Sequence, residues 1–118
     1  MFVLLSLRTV RLRRRLQIPI GDGDHPLLIR AMRVYSNFAE YVPIALLLIY
    51  LLETETHSVV SPHVLCVALF VGRISHAYGV SQVKENYRFR VAGMVLTLGV
   101  IISASLGILG SYVRFLGA

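Results

Sequence analysis

The chain has 118 residues, of which 56% are apolar and only 15% charged, with a mean hydropathy of +0.71 and a formal net charge of +6. Soluble domains run at about 45–50% apolar and about 25% charged, so this composition excludes an ordinary soluble domain and points to a single integral membrane domain. The positive charge does not point to nucleic acid, because five of the twelve basic residues crowd into Arg8 to Arg15 beside an apolar segment, the usual place of a loop facing anionic lipid.

Met1 to Leu7 is apolar but far shorter than the about 20 residues that span a bilayer. Continuing through Arg15 lengthens the segment only by adding five arginines. Signal peptides carry their charge before the apolar stretch, not after it. Residues 1–17 therefore read either as a first transmembrane helix lacking its N-terminal part or as a helix lying in the interface with its arginines snorkelling.

Pro19, Gly21, Asp22, Gly23, Asp24 and Pro26 mark a loop, with Asp24 placed to cap the next helix and Pro26 in its first turn. That helix is expected over 25–53, with a kink near Ala39 to Pro43 where proline removes a hydrogen bond. An acidic connection follows, Glu53-Thr54-Glu55-Thr56-His57. Ser61-Pro62 is expected to start a third helix, 61–81. A polar loop with Gln82, Lys84, Glu85 and Asn86 leads to the last helix, 88–116, which carries no charge from Val91 to Val113. Its Gly99, Ser103, Gly107 and Ser111 recur every fourth residue, a stripe expected to pack against another helix. Cys66 stands alone in an apolar helix and is expected to be a small buried hydrophobe. The expected fold is thus all-α, a four-helix transmembrane bundle with a shortened first helix, forming one domain over 1–118.

Basic residues fall in the first and third connections, and the second is acidic. The positive-inside rule then places the first and third connections in the cytoplasm. Arg30, Arg33, Asn37 and Glu40 share an arc of roughly 80° on the second helix. Arg73 and His76 lie near the end of the third helix, and Arg88 and Arg90 open the fourth. Three helices thereby bring polar groups to the same depth, where ionisable side chains normally face a bundle interior or a water-filled cavity.

The arginines suit carboxylates, and Glu40 suits an ammonium group, as a small zwitterionic peptide would require. Alternatively, Arg33 and Glu40 pair with each other to neutralise charge within the bundle. His76 is either a general base or ligand donor, or simply hydrogen-bonded to a neighbour. Arg88 and Arg90 are either an anion or thiolate site or interfacial anchors. The four histidines give no metal-ligand spacing. Phosphate loop, nucleophile elbow and cysteine pair are all missing from the sequence, so any nucleophile must come from a bound molecule.

Arg30-x-x-Arg33-x-x-x-Asn37-x-x-Glu40-x-x-Pro43, then Gly72-Arg73-x-x-His76-Ala77-Tyr78, then Arg90-Val91-x-Gly93-Met94, together resemble a bacterial MAPEG protein (membrane-associated proteins in eicosanoid and glutathione metabolism). The resemblance runs from about Leu12 to Leu116. It implies a left-handed bundle of four transmembrane helices, a homotrimer, and glutathione bound between subunits near the cytoplasmic face of a bacterial inner membrane. It also implies site roles. Arg33, Asn37 and Glu40, with Arg30 beside them, match glutathione contacts. Arg73 and His76 match polar positions on the third helix. Arg90, or else Arg88, falls near the arginine that stabilises the glutathione thiolate. The implied function is glutathione transferase or peroxidase activity on lipophilic electrophiles, with glutathione as co-substrate, no metal, and self, membrane lipid and a hydrophobic small molecule as partners. Val80 stands where the eicosanoid synthases tend to have tyrosine, and Val91 and Met94 stand where the prostaglandin enzyme has hydroxyls, which argues against an eicosanoid specialisation. The alternative is a non-catalytic membrane protein that binds lipid or a partner and uses its polar face for assembly; a small-solute transporter subunit is a third reading.

The orientation is directly testable. Cysteines introduced at Gln17 and Gln82 are expected to resist an impermeant thiol reagent added outside cells, whereas one at Glu53 reacts; labelling in the opposite sense would invert the topology.

Overall fold

A computed structural model describes residues 1–56, 58–84 and 86–117, so the expectations placed on His57 and Glu85 lie outside the described residues. The element order is α1 (Phe2–Leu16), α2 (Pro26–Thr56), α3 (Val60–Ser81) and α4 (Tyr87–Gly117). Among the described residues all regular structure is helical, and α2, α3 and α4 are each long and apolar enough to cross a membrane. The α1 helix is not among them.

The helix ends are set by local chemistry that differs in places from the sequence expectation. Gln17 ends α1 in the left-handed region (φ 56, ψ 36), and the Arg13 guanidinium donates to the carbonyls of Ile18, Pro19 and Gly21. Asp24 does not cap α2. Asp24 itself is left-handed (φ 54), and its N–H is held by Asp22 Oδ1 at 3.0 Å. His25 takes the cap position, its carbonyl accepting the N–H groups of Leu28 and Ile29 at 3.0 Å each. The α2 helix runs unbroken through Pro43. It also continues beyond Glu53, because the Thr54 and Thr56 hydroxyls donate to Leu51 O and Leu52 O at 2.8 and 2.6 Å and satisfy terminal carbonyls. Ser61 is not a cap either. The α3 helix begins at Val60 with no side-chain cap bond, and Pro62 still falls in the first turn, where its missing N–H is tolerated.

The interior follows a repeat of alternating three- and four-residue steps. On α4 the buried positions are Gly93, Thr97, Val100 and Ala104. On α3 they include Pro62, Leu69, Gly72, His76 and Gly79. A period of 3.5 residues implies left-handed crossing of the helices. Ala45, Ile49, Leu69 and Val100 form the apolar core shared by α2, α3 and α4. A second cluster, Leu5, Val34 and Val80, seats α1 against the first half of α2 and the end of α3. Phe2 adds a tilted ring contact with Tyr35, centroids 5.2 Å apart.

The closest approach is between the α3 and α4 backbones. A Cβ on Gly93 would stand 2.5 Å from His76 N and 2.6 Å from Gly72 O, and one on Gly79 would stand 2.6 Å from Arg90 N. Small residues permit such contact in lipid. The stripe singled out from sequence is used in part, at Gly107 and not at Gly99. Gly99 has nothing within 4 Å of its would-be Cβ, whereas a Cβ on Gly107, three residues beyond Ala104 along the seam, would stand 2.6 Å from Leu52 Cδ1 of α2. Position on the 3.5-residue seam, rather than a four-residue repeat of small side chains, decides which glycines touch. Cys66 likewise faces outward and is exposed, not buried, because it lies off that seam. Its exposed neighbours Val67 and Phe70 on α3, like Ile44 and Leu47 on α2 and Val95 and Ile102 on α4, form the greasy exterior of a protein dissolved in lipid.

Gly93→Ala is expected to destabilise the protein by about 1–3 kcal/mol through overpacking against backbone, read as a lower melting temperature in detergent. Gly99→Ala, in open space, is expected to be neutral or stabilising by up to about 1 kcal/mol. Equal effects of the two would refute the close α3–α4 contact.

Candidate functional site

The first half of α2, the end of α3 and the start of α4 enclose a cavity of about 680 Å³. Arg30, Arg33, Asn37 and Glu40 line it from α2, His76 from α3 and Arg90 from α4, with Pro26, Ile29 and Val80 as apolar surface. Six of the eight residues singled out from sequence therefore meet around one space. The spacing explains the α2 wall, since residues three and four apart stack on one helix face. Ser36 belongs to the same wall. The sequence reading passed over it, although it lies three residues after Arg33 and four before Glu40.

Each polar group is held differently. Arg30 Nη1 donates to the Val80 carbonyl at 3.1 Å, placing a cation at the end of α3 where the helix dipole is negative. Arg33 and Glu40 are both exposed on the cavity wall, and among the described residues no ion pair joins them. The mutual-neutralisation reading therefore fails for this pair. Arg90 is exposed at the mouth, its Cζ 5.9 Å from the Tyr87 ring centroid. His76 is buried, at 4% exposure, where its helix presses on Gly93. The cavity thus sets three guanidinium groups and one carboxylate around a space that also offers the Asn37 amide, the Ser36 hydroxyl and an imidazole.

Two expected contacts do not reach the cavity. Arg88 is exposed and absent from the lining, because two residues of helix put it about 200° round from Arg90. Arg73 is 2% exposed and lies behind the wall. Its Nη2 donates to Asn37 Oδ1 at 2.5 Å and its Nη1 to Thr97 Oγ1 at 3.3 Å. Its Cζ also stands 6.0 Å from the Phe38 ring centroid. Thr97 in turn donates to Gly93 O at 2.8 Å. Arg73 therefore fastens α2, α3 and α4 together and fixes the Asn37 amide, instead of meeting a ligand itself. The sequence reading missed Thr97, whose only signal was a hydroxyl four residues after Gly93 on an otherwise apolar face. Tyr78 points away from His76, exposed and edge-on to Phe89 at 5.2 Å. Among the described residues no group of three His, Cys, Asp or Glu side chains is close enough to hold a metal ion.

Comparison with known proteins agrees with the architecture. The profile of the family described as "MAPEG family" matches residues 1–110. The chain is 34% identical over 92 residues to Inner membrane protein YecN of Escherichia coli K12, an alignment covering 78% of this chain and 69% of the relative. The YecN protein of Escherichia coli O6:H1 matches with the same identity and coverage. No solved structure matches.

Breaking the Arg73 tie is expected to cost stability in proportion to the bond removed. Asn37→Leu leaves a buried cation short of its acceptor and should destabilise by about 1.5–3 kcal/mol, whereas Thr97→Val should cost about 1 kcal/mol. Thermal unfolding in detergent checks the order, and the reverse ranking would contradict the assignment.

Proposed function

Because the chain belongs to the MAPEG family, we propose that it is an integral membrane protein that binds glutathione and transfers it to, or uses it to reduce, lipophilic electrophiles. The observation that carries this reading is the convergence of Arg30, Arg33 and Arg90 with Glu40 on one cavity of about 680 Å³. Glutathione carries two carboxylates, one ammonium group and a thiol. Three guanidinium groups serve two carboxylates and a thiolate, and Glu40 serves the ammonium. Charge-assisted bonds of this type are roughly twice as strong as neutral ones.

The chemistry divides among the residues accordingly. Arg33 and Arg30 hold the carboxylates, the first by its exposed fork and the second with donors beyond the one given to Val80. Asn37, immobilised by Arg73, offers its amide N–H groups to the peptide backbone. Arg90 stabilises the thiolate over the neutral thiol by its charge. The thiolate then attacks the electrophilic carbon, the new S–C bond forming as the leaving group departs with its electron pair. With a hydroperoxide, the thiolate attacks the terminal oxygen as the O–O bond breaks; the alkoxide leaves with the electron pair and takes a proton as alcohol, and a second glutathione converts the resulting sulfenic acid to disulfide and water. Val80, Ile29 and Pro26 give the electrophile an apolar approach, and bilayer-dissolved substrates are concentrated where the protein resides.

The assembly and orientation complete the proposal. A homotrimer would add a neighbouring subunit's wall to the cavity, and the positive-inside rule places that end of the bundle in the cytoplasm, where glutathione is available. The E. coli relatives, named as inner membrane proteins, support a bacterial inner membrane location.

Detergent-purified protein is expected to bind glutathione saturably by calorimetry, with an absorbance of bound thiolate near neutral pH. Arg33→Ala and Glu40→Gln should each weaken binding about tenfold or more, and Arg90→Ala should remove the thiolate signal. Absence of saturable binding at millimolar glutathione, from an intact oligomer, would sink the reading. Disassembly of the oligomer in Arg33→Ala would assign the polar face to assembly instead.

A further inference from the structure

A second cavity, of about 390 Å³, lies on the outer side of α1 and shares no residue with the first. Arg8, Arg11 and Arg15 line it together with Leu4, Leu7, Leu12 and Leu27, and no acidic residue is among its walls. From these residues we propose that this groove is a binding site for one anionic phospholipid, its phosphate held by Arg11 and Arg15 and its acyl chain laid along Leu4 and Leu7.

The groove has the order of polarity that such a lipid has. Positions 4, 7, 8, 11 and 15 fall in one stripe of a helix, three or four residues apart. Along that stripe Leu4 and Leu7 come first and Arg8, Arg11 and Arg15 follow, with Leu12 between the last two. The stripe therefore runs from acyl-like surface to phosphate-like surface over about 16 Å of helix at 1.5 Å per residue. Leu27, from α2, adds an apolar wall from a different element. A helix that lay on the membrane merely as an amphipathic cylinder would need no second wall.

The distribution of hydrogen bonds sorts the arginines of α1. Arg13 is committed to the carbonyls of Ile18, Pro19 and Gly21, and Arg8 donates to the Ser81 hydroxyl. Those two fasten the loop and the end of α3. Arg11 and Arg15 are exposed, and neither has a hydrogen-bond or carboxylate partner among the described residues. Two guanidinium groups one turn apart on the groove, with an anchored third behind them and no carboxylate to offset them, demand an anion. Each guanidinium presents a planar fork matched to phosphate oxygens. In a membrane, the anion with an apolar body attached is an acidic lipid, and basic pockets beside transmembrane helices recognise such headgroups.

Native mass spectrometry of the detergent-solubilised protein tests this with phosphatidylglycerol and chain-matched phosphatidylcholine. Phosphatidylglycerol is expected to bind as one retained molecule per subunit, with phosphatidylcholine bound at least tenfold more weakly. Each arginine near the surface contributes about a fivefold preference, so Arg11→Gln/Arg15→Gln should lose roughly thirtyfold. The charge-matched Arg14→Gln/Arg114→Gln, with both sites outside the groove, should retain binding. Leu4→Ser/Leu7→Ser should weaken the lipid, and soluble glycerophosphoglycerol, which lacks the chains, should fail to displace it. Because Arg11 and Arg15 are exposed, unchanged helical circular dichroism and melting temperature are expected for their variant. Equal retention of the two lipids, equal loss in the charge-matched control, full displacement by the soluble headgroup, or a co-purifying polypeptide in place of lipid would each overturn the proposal.

Discussion

The guanidinium of Arg73 is the interaction on which the remainder depends. A cation inside an apolar bundle is costly unless its donors are met. Here its two Nη groups are met by Asn37 from α2 and Thr97 from α4, so one side chain of α3 obliges both neighbouring helices to lie at fixed depth and rotation. Lipid-facing leucines and valines cannot impose that register, because sliding a greasy helix through lipid changes little of what it touches. A charged donor with directional acceptors does impose it. Thr97 carries the constraint one step further by bonding to Gly93 O, at the level where the α3 and α4 backbones meet.

The polar residues of the bundle consequently separate into two sets. Arg73 and Thr97 are consumed by structure, buried and bonded to one another and to Asn37 and Gly93 within the chain. Arg33, Glu40 and Arg90 are presented to a space, exposed on its walls. Asn37 belongs to both sets, since its oxygen is taken by Arg73 while its residue borders the cavity. A similar division runs through α1, where Arg13 and Arg8 hold the chain's own carbonyls and hydroxyl while Arg11 and Arg15 face outward. The composition of charge in this protein is thus explained neither by solubility nor by helix propensity. Part of it sets register, and part of it lines the cavities.

Much of this was legible before any coordinates. The helices follow from apolar runs punctuated by Pro-Gly-Asp clusters, and the α2 wall follows from three- and four-residue spacing. Convergence of Arg30, Arg33, Asn37, Glu40, His76 and Arg90 follows from charge placement at one end of three helices. What was not legible depends on which way a helix turns toward its neighbours. Spacing alone cannot tell whether Arg73 faces a cavity or a partner helix, since both lie on the polar side of α3. Nor does a repeat of small residues identify the contact, as Gly99 stays open while Gly93 touches backbone. Caps failed for a different reason. Asp24 and Ser61 have the right side chains, but Asp24 is held left-handed by Asp22 and α3 begins before Ser61.

The two walls of the larger cavity are built with unequal stiffness. His76, Val80 and Arg90 stand on α3 and α4, whose main chains touch at Gly79 and Gly93 with no room for a methyl group. That pair moves as one plate. The opposite wall belongs to α2, and at this end of the bundle the directional bonds mooring it to the plate include Asn37 to Arg73 and Arg30 to Val80. Apolar packing joins α2 to the plate at both levels, Val34 with Val80 beside the cavity and Ala45 and Ile49 with Leu69 and Val100 further along. The gape of the cavity is therefore set by how α2 sits on that plate, where apolar contact at Val34 and directional catches at Asn37 and Arg30 act side by side.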